Sequence, residues 1–141
     1  MFAKGEKEKN ILFASIRLMI CVGHADGYIG NKELSRIQEL VNAEHFTLKE
    51  RQILMDDMDY PKQPEVIVQD LIDLTLEEKL MIMRMLYRMA LIDRKLSDLE
   101  NEEIHRIAGL LGISPEKRRQ VEEWIKEGLE WRERWNEIIA E

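Results

Sequence analysis

Apolar residues along this chain recur at spacings of three and four, and almost nothing alternates as a half-buried strand would. The pattern predicts an all-α fold of about seven helices. Gly23, Gly27, Gly30, Pro61, Pro64, Gly112 and Pro115 punctuate it. A first helix is expected over about 8–25, apolar on most of its faces, and Asp26 with Gly27 should break it. A second starts near Asn31 with Leu34, Ile37, Leu40 and Val41 as its core face. Thr47 with Glu50 and Thr75 with Glu78 have the capping-box spacing, in which hydroxyl and carboxylate satisfy free N–H groups at a helix start. The first box opens a helix carrying Ile53, Leu54 and Met58. A loop from Tyr60 to Pro64 and a short helix over about 65–71 follow. The second box opens a Met-rich, nearly all-apolar helix over about 80–92. Met81, Met83, Met85 and Met89 surround that helix, as expected of a central core element. Ser97 with Glu100 is a third box, and Ser114 before Pro115 starts the last helix.

Shifted by 67 residues, the chain lies on itself. Arg17 falls on Arg84, Asp26 on Asp93, Ile29 on Leu96, Glu33 on Glu100 and Ile37 on Ile104. The expected organisation is one domain over residues 1–141, with a pseudo-two-fold repeat of three-helix units over about 10–60 and 77–127. An amphipathic C-terminal helix spans about 115–140. The two apolar helices should pack together at the centre, each burying what the other cannot cover alone.

Each unit carries an acidic turn in which an aspartate is followed by an aliphatic at three and a glutamate at seven. These are Asp26, Ile29 and Glu33, then Asp93, Leu96 and Glu100. The spacing matches the back half of a calcium-binding EF-hand loop. The front half fails, because the first ligand positions would be Val22 and His24, or Met89 and Leu91. If the turns meet, Asp26, Glu33, Asp93 and Glu100 would offer four carboxylates to a divalent cation such as calcium, magnesium or manganese. The structural alternative is equally concrete. Glu33 and Glu100 sit at helix starts, where acid is favourable anyway, and Asp26 and Asp93 would form turns or pair with Arg17 and Arg84.

The segment from Gly23 to Glu33, with its Ala25-Asp26-Gly27 turn, resembles the TerB-like family, named for a tellurite-resistance protein. Met89 to Glu100 looks like that family's second copy, and Ile104 to Ser114 is similar to its usual continuation. The resemblance covers about residues 10–127. It implies an all-helical, pseudo-symmetric fold with acidic residues gathered between the halves at Asp26, Glu33, Asp93 and Glu100. It also implies a role in stress or tellurite resistance, with divalent-metal binding and no established catalysis. Related modules are fused to DnaJ-like co-chaperones, and some work at the inner face of the membrane. Arg94 stands where the family usually has Gly, which puts a positive side chain beside Asp93.

In the last helix, Val121, Trp124, Gly128, Trp131, Trp135 and Ile138 recur at alternating three and four, opposite a face dense in charge. Either this stripe packs wholly on the domain, or its end overruns the core. In the second case Trp124, Trp131 and Trp135 would dock a protein partner or a second copy. The polar face is mixed and Glu-rich, so any membrane association is peripheral at most.

Charge and composition narrow the classes. Net charge is -7 over 141 residues, which disfavours nucleic acid as a partner. Lys4, Lys7 and Lys9 before an apolar stretch imitate a signal peptide. Glu6, Glu8 and Arg17 argue instead for a buried helix. The lone Cys21 lies in that apolar run, as a small buried hydrophobe would, and is compatible with a reducing, cytoplasmic location. No phosphate loop, nucleophile motif or zinc-protease motif occurs, and His24, His45 and His105 are scattered. A non-catalytic interaction module is the reading these features favour. A metal-dependent hydrolase with a carboxylate-held ion and a purely structural adaptor remain as alternatives.

Overall fold

The computed structural model describes residues 4–92 and 96–140. Among these residues seven α-helices follow in order: α1 (Lys4–Gly23), α2 (Asn31–Ala43), α3 (Leu48–Asp59), α4 (Pro64–Val68), α5 (Leu76–Ala90), α6 (Asp98–Leu110) and α7 (Pro115–Ile139). Short 3₁₀ turns at His24–Asp26 and Gln69–Leu71 extend α1 and α4. The described residues contain no strand.

The helix starts are fixed locally. Thr47 accepts from the Glu50 N–H at 3.1 Å, and Glu50 accepts from the Thr47 N–H at 2.8 Å. Thr75 and Glu78 repeat the box at 3.2 and 2.9 Å. Ser114 accepts from the Lys117 N–H at 3.2 Å, with Pro115 in the first turn. Such caps each contribute about 1 kcal/mol. Gly27 ends the first 3₁₀ turn at φ 97, a left-handed conformation that favours glycine.

Packing supplies the rest. Helices α1 and α5 make the most extensive contact in the fold. On α1, Ile16, Leu18, Met19, Ile20 and Val22 are buried around the whole circumference. On α5, Ile82, Met83, Leu86, Tyr87 and Met89 are fully buried. Each such side chain contributes roughly 1.5–3 kcal/mol by leaving water, which is why a Met-rich sequence makes a stable central helix. Met81 departs from that expectation. It is half exposed, on the side of α5 that faces the start of α7 across a groove.

The buried Asp57 and Arg118 are matched across helices. The Arg17 guanidinium donates to Asp57 of α3 at 2.6 Å, with the Asp57 side chain almost wholly enclosed. Arg118 of α7 donates to the Tyr87 hydroxyl at 2.8 Å and to Glu122 at 3.1 Å, which anchors the root of α7 on α5. Burial and Glu122 push the Tyr87 hydroxyl up to about 12, against the pull of Arg118. Cys21 is buried, and its thiol donates to the Lys62 carbonyl at 3.1 Å. Burial, with Glu103 and Asp57 nearby, pushes that thiol up to about 12.

Candidate functional site

The first acidic turn is built by the end of α1. His24 to Asp26 form the 3₁₀ turn, and the chain folds back to start α2 at Asn31. Gly23 permits that return: a Cβ there would sit 3.0 Å from Ile29 and 3.3 Å from the Glu33 carboxylate. The Glu33 carboxylate therefore lies over the end of α1 rather than in open solvent. The His24 ring bonds the Met58 carbonyl at 2.7 Å, which commits it to α3 and away from the acidic groups.

The same turn packs against the start of α6. There the Ser97 hydroxyl donates to Asp26 at 2.8 Å and accepts from the Glu100 N–H at 3.1 Å. One hydroxyl thus links the Asp26 carboxylate of the first turn to the backbone N–H of Glu100 at the start of α6. Asp26 is exposed, whereas Glu100 is only 4% exposed. Burial raises the Glu100 pKa. Its contacts with Ser97 pull the other way, and the neighbouring Asp26 carboxylate adds to the rise. Glu100 Oε2 is enclosed without a hydrogen-bond partner among the described residues.

Of the four predicted carboxylates, Asp26 and Glu100 are neighbours beside Ser97, and that of Glu33 on α2 lies over Gly23 at the end of α1. Asp93, with Arg94 beside it, lies outside the described residues. Among the described residues, no three His, Cys, Asp or Glu side chains are grouped as metal ligands would be.

The suggested pairing of Arg17 with Asp26 is corrected. Arg17 points to Asp57, because the middle of α1 faces α3 and the acidic turn lies beyond it. Arg84 lies over the Trp124 ring, 5.9 Å from its centroid, and its buried Nε has no hydrogen-bond partner among the described residues. Nothing in the spacing of Asp57 distinguished it from its exposed neighbours Asp56 and Asp59. The bridging role of Ser97 was hidden behind its role as a cap.

The last helix resolves the second prediction. Ile125 is buried, and Val121 and Leu129 pack on the core. Beyond Leu129 every described residue of α7 is exposed. Trp124, Trp131 and Trp135 are 58%, 76% and 60% exposed, with Ile138 and Ile139 alongside them. The stripe overruns the core instead of packing wholly on it. A groove of about 770 Å³ runs beside it, between α2, α5 and α7, lined by Arg36, Arg88, Ile92, Trp124, Gly128 and Trp131. His105 is exposed on α6, as expected of a helix-surface histidine.

The sequence profile described as "Tellurite resistance protein TerB" matches residues 12–123, most of the chain. The chain belongs to the TerB family. No curated protein and no solved structure matches it. The TerB match takes in both acidic turns, all of α2 to α6 and parts of α1 and α7, and ends at Glu123. The exposed Trp face of α7 begins at the next residue. No helix among the described residues of this TerB-family chain is long and apolar enough to cross a membrane.

Proposed function

We propose that this TerB-family chain is a non-catalytic, tellurite-resistance-type interaction module whose acidic turns take up a divalent cation. The observation that carries this reading is the closeness of the Asp26 carboxylate, held by the Ser97 hydroxyl, to the buried Glu100 side chain. Burial raises the Glu100 pKa, and repulsion from the Asp26 carboxylate adds to the rise. A hard divalent cation relieves that repulsion and binds oxygen ligands of this kind. Glu33, whose carboxylate lies over the end of α1, and Asp93 complete the proposed set. Calcium, magnesium and manganese are the cations whose ligand preferences the carboxylates match. The exposed face of α7 supports the interaction half of the proposal.

The test is calorimetric titration of chelator-stripped protein with calcium, magnesium, manganese and zinc, repeated on Glu33→Gln/Glu100→Gln. Saturable heat in the parent and none in the double variant is the expected result. An equal response from both proteins, or no heat and no thermal stabilisation at millimolar metal, would reduce these carboxylates to caps and turn formers.

A further inference from the structure

We propose that the exposed face of α7 is a self-association surface, on which two copies pair through antiparallel α7 helices with Trp131 of each seated above Gly128 of the other. This gives the interaction-module reading its partner and rests on that reading, though not on its cation site.

The first argument is area. Trp124, Trp131, Trp135, Ile138 and Ile139 are each about three-fifths exposed or more. Together they offer on the order of 600 Å² per copy, so a pair would bury about 1,200 Å², the lower end of specific interfaces. The groove beside Trp124 adds concave surface for the partner's helix end.

The second argument is self-complementarity. A two-fold contact requires a patch that matches itself. The stripe is Val121, Trp124, Gly128, Trp131, Trp135 and Ile138, spaced three, four, three, four, three. Its centre lies between Leu129 and Glu130. Rotation about that point sets Trp124 opposite the partner's Trp135 and Gly128 opposite the partner's Trp131, while Val121 stays on its own core. A side chain added at Gly128 would meet nothing within 4 Å, so the backbone there forms an open notch between two indoles. The partner's largest side chain faces this one's smallest. A parallel pairing would instead stack Gly128 on Gly128 and leave a gap.

Charge agrees with the same register. In antiparallel helix pairs, the residues just before alternate core positions meet along one edge. Here those are Glu127 and Arg134, so Glu127 meets the partner's Arg134, and symmetry repeats the pair. Antiparallel alignment also opposes the two helix dipoles.

The experiment is sedimentation equilibrium of the full chain in EDTA, over micromolar concentrations, which keeps its outcome separate from that of the cation titration. The expected species has the mass of two 16.8 kDa chains. Trp131→Glu should weaken dimerisation by roughly thirtyfold or more, as losing a Trp hot spot does. Glu127→Arg should also weaken it, and adding Arg134→Glu should restore it. Far-UV circular dichroism checks that each variant keeps its helices. A wild-type monomer throughout, or a dimer indifferent to Trp131→Glu, overturns the proposal. A charge swap that fails to restore pairing overturns the antiparallel register.

Discussion

Arg17 and Arg84 occupy matching places when the chain is shifted by 67 residues, yet they are accommodated in different ways. Arg17 on α1 is held by the buried Asp57 of α3. Arg84 on α5 lies over the Trp124 ring of α7. The first is a desolvated ion pair with directional hydrogen bonds. The second is a weaker attraction to a π face, at a ring that is itself more than half exposed. A basic residue on an apolar helix therefore does not specify its own partner. The neighbouring helix does, and in the second half that helix is α7.

The largest effect that tests the contrast is at Asp57. Asp57→Ala would leave Arg17 without its enclosed counter-charge and should cost about 3–5 kcal/mol, read from the midpoint of urea unfolding. Arg17→Met/Asp57→Leu should recover most of that loss. If Asp57→Ala alone costs less than about 1 kcal/mol, the ion pair contributes no more than a surface one would.

Next comes the contact that joins the two acidic turns. Ser97→Ala removes a cap, worth about 1 kcal/mol, and also the donor to Asp26. Thr75→Ala removes a cap with no such second contact. Chemical denaturation of the two variants should therefore show the larger loss at Ser97. Equal losses would mean that the bridge to Asp26 adds nothing.

At Arg84 the expected changes are smaller. Trp124→Ala should cost roughly 0.5–1 kcal/mol of monomer stability through the lost ring contact, measured by unfolding in the Trp131→Glu background. Arg84→Met should be neutral or slightly stabilising, because it removes a buried Nε with no hydrogen-bond partner among the described residues. Arg17→Met should be clearly destabilising. One substitution at two matching positions would then have opposite signs.

The subtlest difference is in pH dependence. Glu78 and Glu100 both stand three residues after a capping residue, and their pKa values move in opposite directions. The Thr75 N–H and Lys7 lower that of Glu78, and burial beside Asp26 raises that of Glu100. A lowered carboxyl adds stability above its unfolded pKa, near 4.5, and loses it as pH falls through the folded value. A raised one does the reverse: the folded state holds the proton longer, and stability falls as pH climbs from about 4.5 through the folded pKa. Stability measured from acid to neutral pH should thus show Glu100→Gln gaining on the parent as pH rises, and Glu78→Gln losing ground. A saturating divalent cation should narrow the first gap by stabilising the parent alone.

What the sequence revealed and what it hid divide by range. Thr47, Thr75 and Ser114 were legible as caps because a cap is decided by residues three apart. The all-α class and the central contact of α1 with α5 followed from apolar residues on every face of both helices. The partner of Arg17 was not legible, because Asp57 lies forty residues on and carries no local mark. At the acidic turns, the spacing singled out Asp26 and Glu100 as candidates, and it did not show that the Ser97 hydroxyl would link the Asp26 carboxylate to the Glu100 N–H. The periodicity of the last helix was plain. Where the core stops covering it depends on how far α5 and α6 extend, and no pattern within α7 reports that.

Cys21 has a practical consequence. It is the only thiol in the chain, it is enclosed, and its proton is held up to about pH 12. Alkylating and disulfide reagents attack the thiolate, so at neutral pH this residue is a silent background. A cysteine introduced on the charged side of the exposed end of α7, as in Glu137→Cys, would be the sole reactive handle. A fluorophore or spin label placed there would report what covers that tip without any need to remove the natural thiol.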